Sequence, residues 1–286
     1  MENAIFEIRD LVCRYKEASN PVLHIPALTI YKGQLVFVVG ISGSGKSTFL
    51  ESLGLMNNTI DKGSKIAFYP DADQVLQLGD VWQNNQSKLD DFRKKYLSFI
   101  FQQTNLMPNF SCGENMMITA LMKGESLADA KKKALQYMEI LKLREEVFDK
   151  PPVEVSGGQK QRIAFIRAIC GEFSVLFGDE PTGNLDPTTA KELIQCLKIL
   201  LKGNQKTGIL VSHDLDLALR YADMIIPICL DPKDKSKPGT IYQQNILVSK
   251  TDVPDQDVQL WFLPDGEMLE SPKSYLLNVI SNGIHA

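Results

Sequence analysis

A glycine-rich segment is the part of the sequence whose residue types bear most directly on chemistry. Residues 40–48 match the phosphate-loop pattern G-x-x-x-x-G-K-[ST]. The glycines let successive backbone N–H groups converge on phosphate oxygens, and the positive end of a following helix adds to the attraction. Lys46 would reach the β- and γ-phosphates, and the Ser47 hydroxyl would take one position on Mg²⁺. The segment predicts a nucleotide site formed by Gly40, Ile41, Ser42, Gly43, Ser44, Gly45, Lys46, Ser47 and Thr48.

The flanking residues favour a phosphate loop over an ordinary glycine- and serine-rich connection. Residues 35–39 form a short apolar run that predicts a buried parallel strand, and residues 48–55 predict the start of a helix. Strands and helices alternate from there onwards, which is typical of an α/β fold with a mostly parallel sheet covered on both faces. The earlier residues 5–15 and 22–30 predict a small antiparallel sheet that leans on this core.

Polar side chains follow several of the predicted strands. They are Gln102, the pair Asp179 and Glu180, and His213. Because a doubly wound sheet binds its ligand at the carboxyl ends of its strands, we expect these side chains to lie near Lys46. Asp179 suits Mg²⁺, Glu180 is placed to orient or deprotonate a water, His213 would donate to a γ-phosphate, and Gln102 would complete the metal or water shell. Each alone fits a solvated turn or a surface histidine, but together, in this order, they are poorly explained by chance.

Composition limits the class of protein. The chain has 286 residues, 44% of them hydrophobic and 23% charged, which suits one large domain or one domain with an appendage. The net charge of −4 disfavours a broad nucleic-acid-binding face. Five scattered cysteines without C-x-x-C spacing argue against a disulfide scaffold or a zinc site and favour a reducing compartment. The N-terminus lacks the features of a signal peptide and no run is long enough for a membrane span, so we expect a soluble chain.

The order of these motifs resembles one family closely. From about Ile5 to about Ile228 the chain resembles an ATP-binding-cassette (ABC) ATPase, the nucleotide-binding subunit of an ABC transporter. The most specific motif is Ser-Gly-Gly-Gln at 156–159, which separates this family from other phosphate-loop proteins. Residues 182–186 further resemble the lipoprotein-release and macrolide-export type of ATPase, and also its cell-division relative. The resemblance rests on the phosphate loop Gly40–Thr48, the Q-loop Phe101-Gln102, the signature Val155-Ser156-Gly157-Gly158-Gln159, the Walker B end Asp179-Glu180-Pro181, the D-loop Asn184-Leu185-Asp186 and the switch histidine His213.

The resemblance implies a fold with defined parts. It is a P-loop NTPase with a mostly parallel sheet core, an N-terminal antiparallel β subdomain and a helical signature subdomain. We expect the nucleotide-binding domain over residues 1–230, with its helical insert at about 104–170. Residues 231–286 are expected to form a C-terminal extension, a β-hairpin at 260–267 and a short helix near 275–280.

The resemblance also implies how the protein works. Two copies, as a homodimer or pseudo-dimer, would sandwich two ATP molecules with Mg²⁺, so that the phosphate loop of one copy faces the signature of the other. Tyr15 would stack on adenine. Catalysis would fall to Glu180, His213 and Gln102, and the metal to Ser47, Gln102 and Asp179. Besides the phosphate loop, the nucleotide-binding residues would be Tyr15, Ser156, Gly157, Gly158, Gln159 and Asp186.

The partners follow from the same resemblance. A separate transmembrane permease would dock near residues 102–115, and no nucleic acid is expected. The protein would be cytoplasmic, peripheral on the inner face of the cell membrane, and would power export or release of a substrate. The alternative is a non-transport ABC ATPase, either for cell-division-type membrane signalling or, with less support, associated with nucleic acid or ribosomes.

Several features depart from the family pattern. Ser174 and Gly178 weaken the apolar run before Asp179, which predicts a less regular strand there. Gln103 beside Gln102 leaves a one-residue ambiguity, which we resolve in favour of Gln102 because it directly follows Phe101. Residues 57–91 look irregular and polar, with turns and one extra hairpin from 66–69 and 75–78.

Overall fold

The structure is a computed structural model that describes residues 3–71, 74–79, 81–83, 86–234, 236–250 and 259–282. The strands in these ranges are β1 (Ala4–Cys13), β2 (Leu23–Tyr31), β3 (Leu35–Val39), β4 (Lys65–Phe68), β5 (Leu76–Gln77), β6 (Leu97–Ile100), β7 (Val175–Asp179), β8 (Thr207–Val211), β9 (Met224–Pro227), β10 (Gly239–Thr240), β11 (Leu247–Lys250) and β12 (Leu260–Phe262). The α-helices are α1 (Lys46–Leu53), α2 (Gln86–Tyr96), α3 (Cys112–Met122), α4 (Leu127–Ile140), α5 (Gly157–Cys170), α6 (Pro187–Gly203), α7 (Leu215–Tyr221) and α8 (Pro272–Asn282). Short 3₁₀ helices lie at Val81–Gln83, Glu145–Val147, Pro152–Glu154 and Gln243–Asn245.

A seven-stranded sheet forms the centre of the fold, in the order β12-β11-β9-β3-β8-β7-β6. Strands β9, β3, β8, β7 and β6 run parallel, which confirms the predicted mostly parallel core. Every residue of β3 and β8 is buried, because both faces of the sheet are covered. Along β3 the side chains alternate between two hydrophobic clusters, with Phe37 in one cluster and Val38 in the other.

Strand β7 is regular, so the prediction of an irregular strand before Asp179 is wrong. It pairs with β6 and β8 in continuous register through Gly178, and on to Asp179 with β8. Gly178 is needed there, because a Cβ atom at this position would meet Leu210 Cδ2 at 2.6 Å and Pro181 Cγ at 3.3 Å. The glycine that weakens the apolar pattern therefore allows close packing of the strand.

A second, five-stranded sheet has the order β10-β2-β1-β4-β5. Strands β1 and β2 pair antiparallel, as predicted, and β4 and β5 form the predicted extra hairpin. Phe6 of β1 packs against Phe68 of β4 with ring centroids 4.8 Å apart and reaches Phe177 of β7 at 6.4 Å. These aromatic contacts join the antiparallel sheet to the central sheet through one buried cluster.

Helix α2 occupies part of the stretch that the sequence analysis describes as irregular, so that description is wrong over residues 86–91. Its apolar residues Leu89, Phe92 and Tyr96 follow a helical spacing, but charged neighbours dilute the pattern. Leu89 and Tyr96 are buried, and Phe92 packs edge-on against Phe68 at 5.3 Å. Tertiary packing on the antiparallel sheet therefore stabilises a helix whose local signal is weak.

Helices α3, α4 and α5 pack together in the region where a helical insert is expected. Their first residues follow Ser111, Ser126 and Ser156, and each serine hydroxyl accepts a backbone N–H of the helix it precedes. No helix in the described part of the chain is long and apolar enough to cross a membrane. The domain boundary expected at 230/231 stays a prediction.

The residues after 231 join both sheets. Strand β10 pairs in parallel with β2, while β11 and β12 extend the central sheet antiparallel beyond β9. After β12 the chain turns at Pro264 and Asp265 and returns through a bridge between Phe262 and Met268. Helix α8 then packs against α7 and β9, and it covers the expected short helix at 275–280.

Candidate nucleotide site

The phosphate loop connects the end of β3 to the start of α1. Gly43 (φ 78°) and Gly45 (φ 99°) adopt left-handed backbone conformations, which favour glycine. No side chain caps the first turn of α1, so its N–H groups are left to an anion. The Ser44 hydroxyl is buried and has no hydrogen-bond partner among the described residues. A loop with free donors and an unpaired buried hydroxyl fits a phosphate group.

Lys46 is buried beneath this loop. Its Nζ donates to the carbonyl oxygens of Gly40 at 3.0 Å and Ile41 at 2.9 Å. Burial lowers the pKa of Lys46, whereas the carboxylates of Glu180 and Asp179 oppose that shift. The lysine charge is therefore held at the loop by carbonyl oxygens, which phosphate oxygens can replace.

Ser47 and Asp179 form an oxygen pair at the start of α1 and the end of β7. The Ser47 hydroxyl donates to Asp179 Oδ2 over 3.5 Å. Burial and the negative charge of Glu180 raise the pKa of Asp179, while Ser47 and Lys46 act in the opposite direction. The described residues contain no cluster of three or more histidine, cysteine or acidic ligands. A hydroxyl and a single carboxylate fit Mg²⁺, which takes its other oxygens from phosphates and water.

Glu180 is the residue on which the predicted catalytic side chains converge. Its Oε1 lies 2.7 Å from His213 Nε2, and its Oε2 accepts from Gln102 Nε2 at 3.3 Å. The Glu180 backbone has φ 46°, and its N–H donates to the Val211 carbonyl at 3.1 Å. The ends of β6, β7 and β8 thus bring the predicted amide, carboxylate and imidazole together beside the phosphate loop, and Gln102 is the glutamine that contacts Glu180.

Tyr15 lies beside the first turns of α1. Its hydroxyl is 3.2 Å from Thr48 Oγ1 and 3.4 Å from Glu51 Oε2, and the side chain is 39% exposed. The ring is therefore within reach of a ligand that extends outwards from the phosphate loop.

The signature residues lie on a different part of the surface. Ser156 and Gln159 cap α5 reciprocally, with Gln159 Oε1 accepting the Ser156 N–H at 2.9 Å. A Cβ atom at Gly157 would have no neighbour within 4 Å. No hydrogen bond or ion pair joins residues 156–159 to the phosphate loop within the described ranges. One chain therefore leaves this helix start open to another molecule.

Asp186 caps α6. Its Oδ1 accepts the N–H groups of Thr188 at 3.1 Å and Thr189 at 3.0 Å. A hydrogen bond with the Thr189 side chain, together with these backbone bonds, lowers the pKa of the Asp186 carboxyl. The nucleotide-binding role expected for Asp186 stays a prediction, since its contacts within one chain are those of a helix cap.

Two polar residues near the site escaped the sequence analysis. Gln161 is buried, and its Nε2 donates to the Pro181 carbonyl at 2.7 Å, so it joins α5 to the turn after Glu180. Arg167 donates to the carbonyls of Thr104 at 2.7 Å and Asn105 at 2.9 Å, which holds the loop after Gln102 against α5. Both lie inside a helical run without a motif, so only their contacts identify them.

Comparison with models of known protein families shows the family to which this chain belongs. A family model described as ABC transporter matches residues 23–183, which is more than half of the chain. The chain belongs to the ABC transporter family. Within that family it is an ATPase subunit, which binds and hydrolyses ATP. The prediction of a transporter ATPase is therefore confirmed over that of a non-transport ABC ATPase.

Curated relatives of this ABC ATPase carry consistent names. The lipoprotein-releasing system ATP-binding protein LolD of Bdellovibrio bacteriovorus is 37% identical over 201 residues, covering 70% of this chain and 86% of that protein. The LolD protein of Treponema denticola is 34% identical over 220 residues, covering 76% and 92%.

Solved ABC cassettes have the same fold. The dimeric structure of MJ0796, described as a bacterial ABC transporter cassette, is 28% identical with a TM-score of 0.66 and covers 78% of this chain and 93% of that one. A post-hydrolysis state of the same cassette, bound to ADP and Pi, aligns with a TM-score of 0.65 at 28% identity over the same shares. The cbiO1 protein of Clostridium perfringens is 22% identical with a TM-score of 0.67 and covers 84% and 88%, which shows the fold alone.

Proposed function

We propose that this ABC ATPase works as an ATP-dependent dimer on the inner face of the cell membrane and powers a permease of the lipoprotein-releasing type. Contacts of Glu180 with His213 and Gln102 at the edge of the phosphate loop carry the catalytic part of the proposal. Relatives named as lipoprotein-releasing ATPases support the substrate class.

In the proposed reaction the oxygen of a water forms a bond to the γ-phosphorus of ATP while the bond to the β-γ bridging oxygen breaks, which leaves ADP and phosphate. Lys46 and the loop N–H groups hold the β- and γ-phosphates. Glu180 accepts the proton of the water, and its short contact with His213 keeps the carboxylate aimed at the γ-phosphate. Gln102 fixes the second carboxylate oxygen.

The proposed Mg²⁺ site is formed by Ser47 and Asp179, with Gln102 close to its edge. Bound there, Mg²⁺ would neutralise charge that develops on the phosphate oxygens. Burial and Glu180 disfavour the ionised form of Asp179, and a dication next to this carboxylate would offset that effect.

Dimerisation is proposed from the open start of α5. The N–H groups of Gly157 and Gly158 have no hydrogen-bond acceptor among the described residues, and a Cβ atom at Gly157 would meet nothing within 4 Å. A γ-phosphate held on the phosphate loop of a second copy would find donors and the positive end of a helix there. ATP then joins the copies, and its hydrolysis lets them separate.

The proposed docking site for the permease is an apolar groove of about 600 Å³ beside the loop after Gln102. Phe101, Met107 and Met122 contribute its apolar surface, and Met107 and Met122 are 41% and 61% exposed. An exposed groove of this composition suits the apolar face of a helix from a membrane partner. It coincides with part of the predicted docking region at residues 102–115.

Glu180→Gln tests the catalytic proposal. The amide cannot accept the proton of the water but keeps the shape of the side chain, so ATP binding continues while phosphate release falls about 100-fold or more. Size-exclusion chromatography should then show an ATP-dependent dimer. Glu139→Gln, an exposed residue on α4, serves as the control and should behave like the wild type. Normal hydrolysis by Glu180→Gln would refute the assignment of the base.

The transport proposal has its own test. Co-expression with a candidate permease of the lipoprotein-releasing type should give a stable complex whose ATPase activity rises when a lipoprotein is supplied in membrane vesicles. Release of that lipoprotein into the soluble fraction should need ATP and should stop in Glu180→Gln. A complex that hydrolyses ATP without releasing lipoprotein would leave the ATPase standing and remove the proposed substrate class.

A further inference from the structure

The helix that follows His213 is short and is held from outside by the C-terminal segment. Helix α7 covers only Leu215–Tyr221 and begins after its N-cap Asp214, which accepts the Leu217 N–H at 2.9 Å. Seven residues are too few for a helix to persist without tertiary contacts. The position of the chain at His213 therefore depends on what packs against α7.

Two side chains from the start of β12 bond the end of α7. Trp261 Nε1 donates to the Leu219 carbonyl at 3.2 Å, and Gln259 Nε2 donates to the Ala222 carbonyl at 3.0 Å. Carbonyl groups in the last turn of a helix lack partners within the helix, so these bonds satisfy them. Trp261 is only 2% exposed, so its indole is also part of the packing under α7.

Helix α8 adds a third contact near the other end of α7. Lys273 Nζ lies 2.6 Å from Asp216 Oδ1 and 2.7 Å from Oδ2. Both side chains are largely exposed, at 51% for Lys273 and 74% for Asp216, so this pair contributes less than the buried indole. Together the three contacts hold α7 at its first turn, its last turn and the residue that follows it.

The imidazole of His213 has little other support. Its side chain is 52% exposed, and within the part of the chain that the structure describes its polar contact is with Glu180, at 2.7 Å. The preceding Ser212 is anchored, since its N–H donates to the Val38 carbonyl at 3.2 Å and its hydroxyl accepts the Asp214 N–H at 3.0 Å. The backbone at His213 is therefore held between the end of β8 on one side and the start of α7 on the other.

We propose that residues 259–282 position His213 for hydrolysis, with Trp261 and Gln259 as the main positioning residues. Through α7 they set the distance between the imidazole and Glu180. The inference rests on the role proposed for His213. The C-terminal segment is then part of the catalytic apparatus of this ATPase, beyond its contribution to the sheet.

Trp261→Phe is the decisive variant, because it keeps an aromatic ring and removes the donor to Leu219. We expect kcat for ATP to fall about fivefold, the effect of one lost hydrogen bond, with KM changed by less than about twofold because the phosphate loop is untouched. Trp82→Phe is the matched control. The chain has two tryptophans, and Trp82 Nε1 has no partner in the described ranges, so the same chemical change removes no bond there.

A charge exchange separates positioning from loss of stability. Lys273→Asp or Asp216→Lys alone should lower kcat, and the double variant should restore it, all measured well below each melting temperature. If Trp261→Phe melts earlier but keeps the kcat of Trp82→Phe, or if the single charge variants lower kcat and the double variant does not restore it, the inference is wrong.

His213→Ala distinguishes the role proposed for His213 in hydrolysis from the positioning role proposed for residues 259–282. Wild-type hydrolysis by His213→Ala would overturn the role proposed for the histidine itself. Slow hydrolysis by His213→Ala together with a normal kcat for Trp261→Phe would overturn only the positioning role of the C-terminal segment.

Discussion

Glu180 stands in a backbone conformation that few non-glycine residues adopt. Its φ of 46° costs about 1–3 kcal/mol, which the surrounding structure has to supply. The bond from its N–H to Val211 and the close packing of Gly178 hold the chain in that turn. The strained turn directs the carboxylate at His213 and Gln102 instead of into solvent.

Asp179→Asn should stabilise the nucleotide-free protein while it weakens Mg²⁺-dependent binding of ATP. Burial and Glu180 raise the pKa of Asp179, so the folded state tolerates the ionised carboxylate less well than the unfolded chain does. The gain should be present at about pH 8 and should vanish once the pH falls below about 3, under the unfolded carboxyl pKa of about 3.9, where Asp179 is neutral in both the folded and the unfolded state. Thermal melting without Mg²⁺ or nucleotide measures it.

The exposed Asp149→Asn serves as the control, and its melting temperature should follow that of the wild type at each pH. A gain for Asp179→Asn that grows on acidification would contradict the argument, because its sign would then be reversed.

At the scale of elements, the bounds of a strand or helix were predicted best where burial on both faces makes its residues apolar. Strand β3 has the predicted bounds because its residues are apolar throughout. Helix α2 was missed because its apolar stripe is narrow and its neighbours are charged. The residue types at the site were predicted from their motifs, whereas the contacts of Gln161 and Trp261 join segments far apart in the chain and leave no local pattern.

Gly239→Ala should weaken nucleotide binding. A Cβ atom at this position would lie 1.9 Å from the Ser44 carbonyl oxygen, so either β10 or the phosphate loop has to move. Such overpacking costs about 1–3 kcal/mol, and we expect the Kd for ATP to rise about tenfold. Gly203→Ala is the matched control, since a Cβ atom there meets nothing within 4 Å. Isothermal titration with ATP compares them, and equal affinities would show that the loop does not depend on β10.

At the scale of the whole molecule, we predict that the permease contacts this ATPase at the apolar groove proposed as its docking site. Met122→Glu places a charge in the groove, so the isolated subunit should keep its basal ATPase activity while stimulation by the permease is lost. Leu127→Glu is the control, because Leu127 is similarly exposed, at 63%, but lies outside the groove. Equal stimulation of both variants in reconstituted vesicles would exclude this groove as the docking site.

The parallel pairing of β10 with β2 also sets when the surroundings of the phosphate loop are completed during synthesis of the chain. The N–H of Gly239 donates to the Val22 carbonyl at 2.9 Å, and Thr240 exchanges backbone bonds with Cys229, so a late strand forms the edge of a sheet whose other strands come early in the chain. During synthesis the ribosome delivers the whole phosphate loop long before that strand. The nascent chain therefore gains the full surroundings of its loop only after Thr240 has emerged, and a product terminated earlier lacks them.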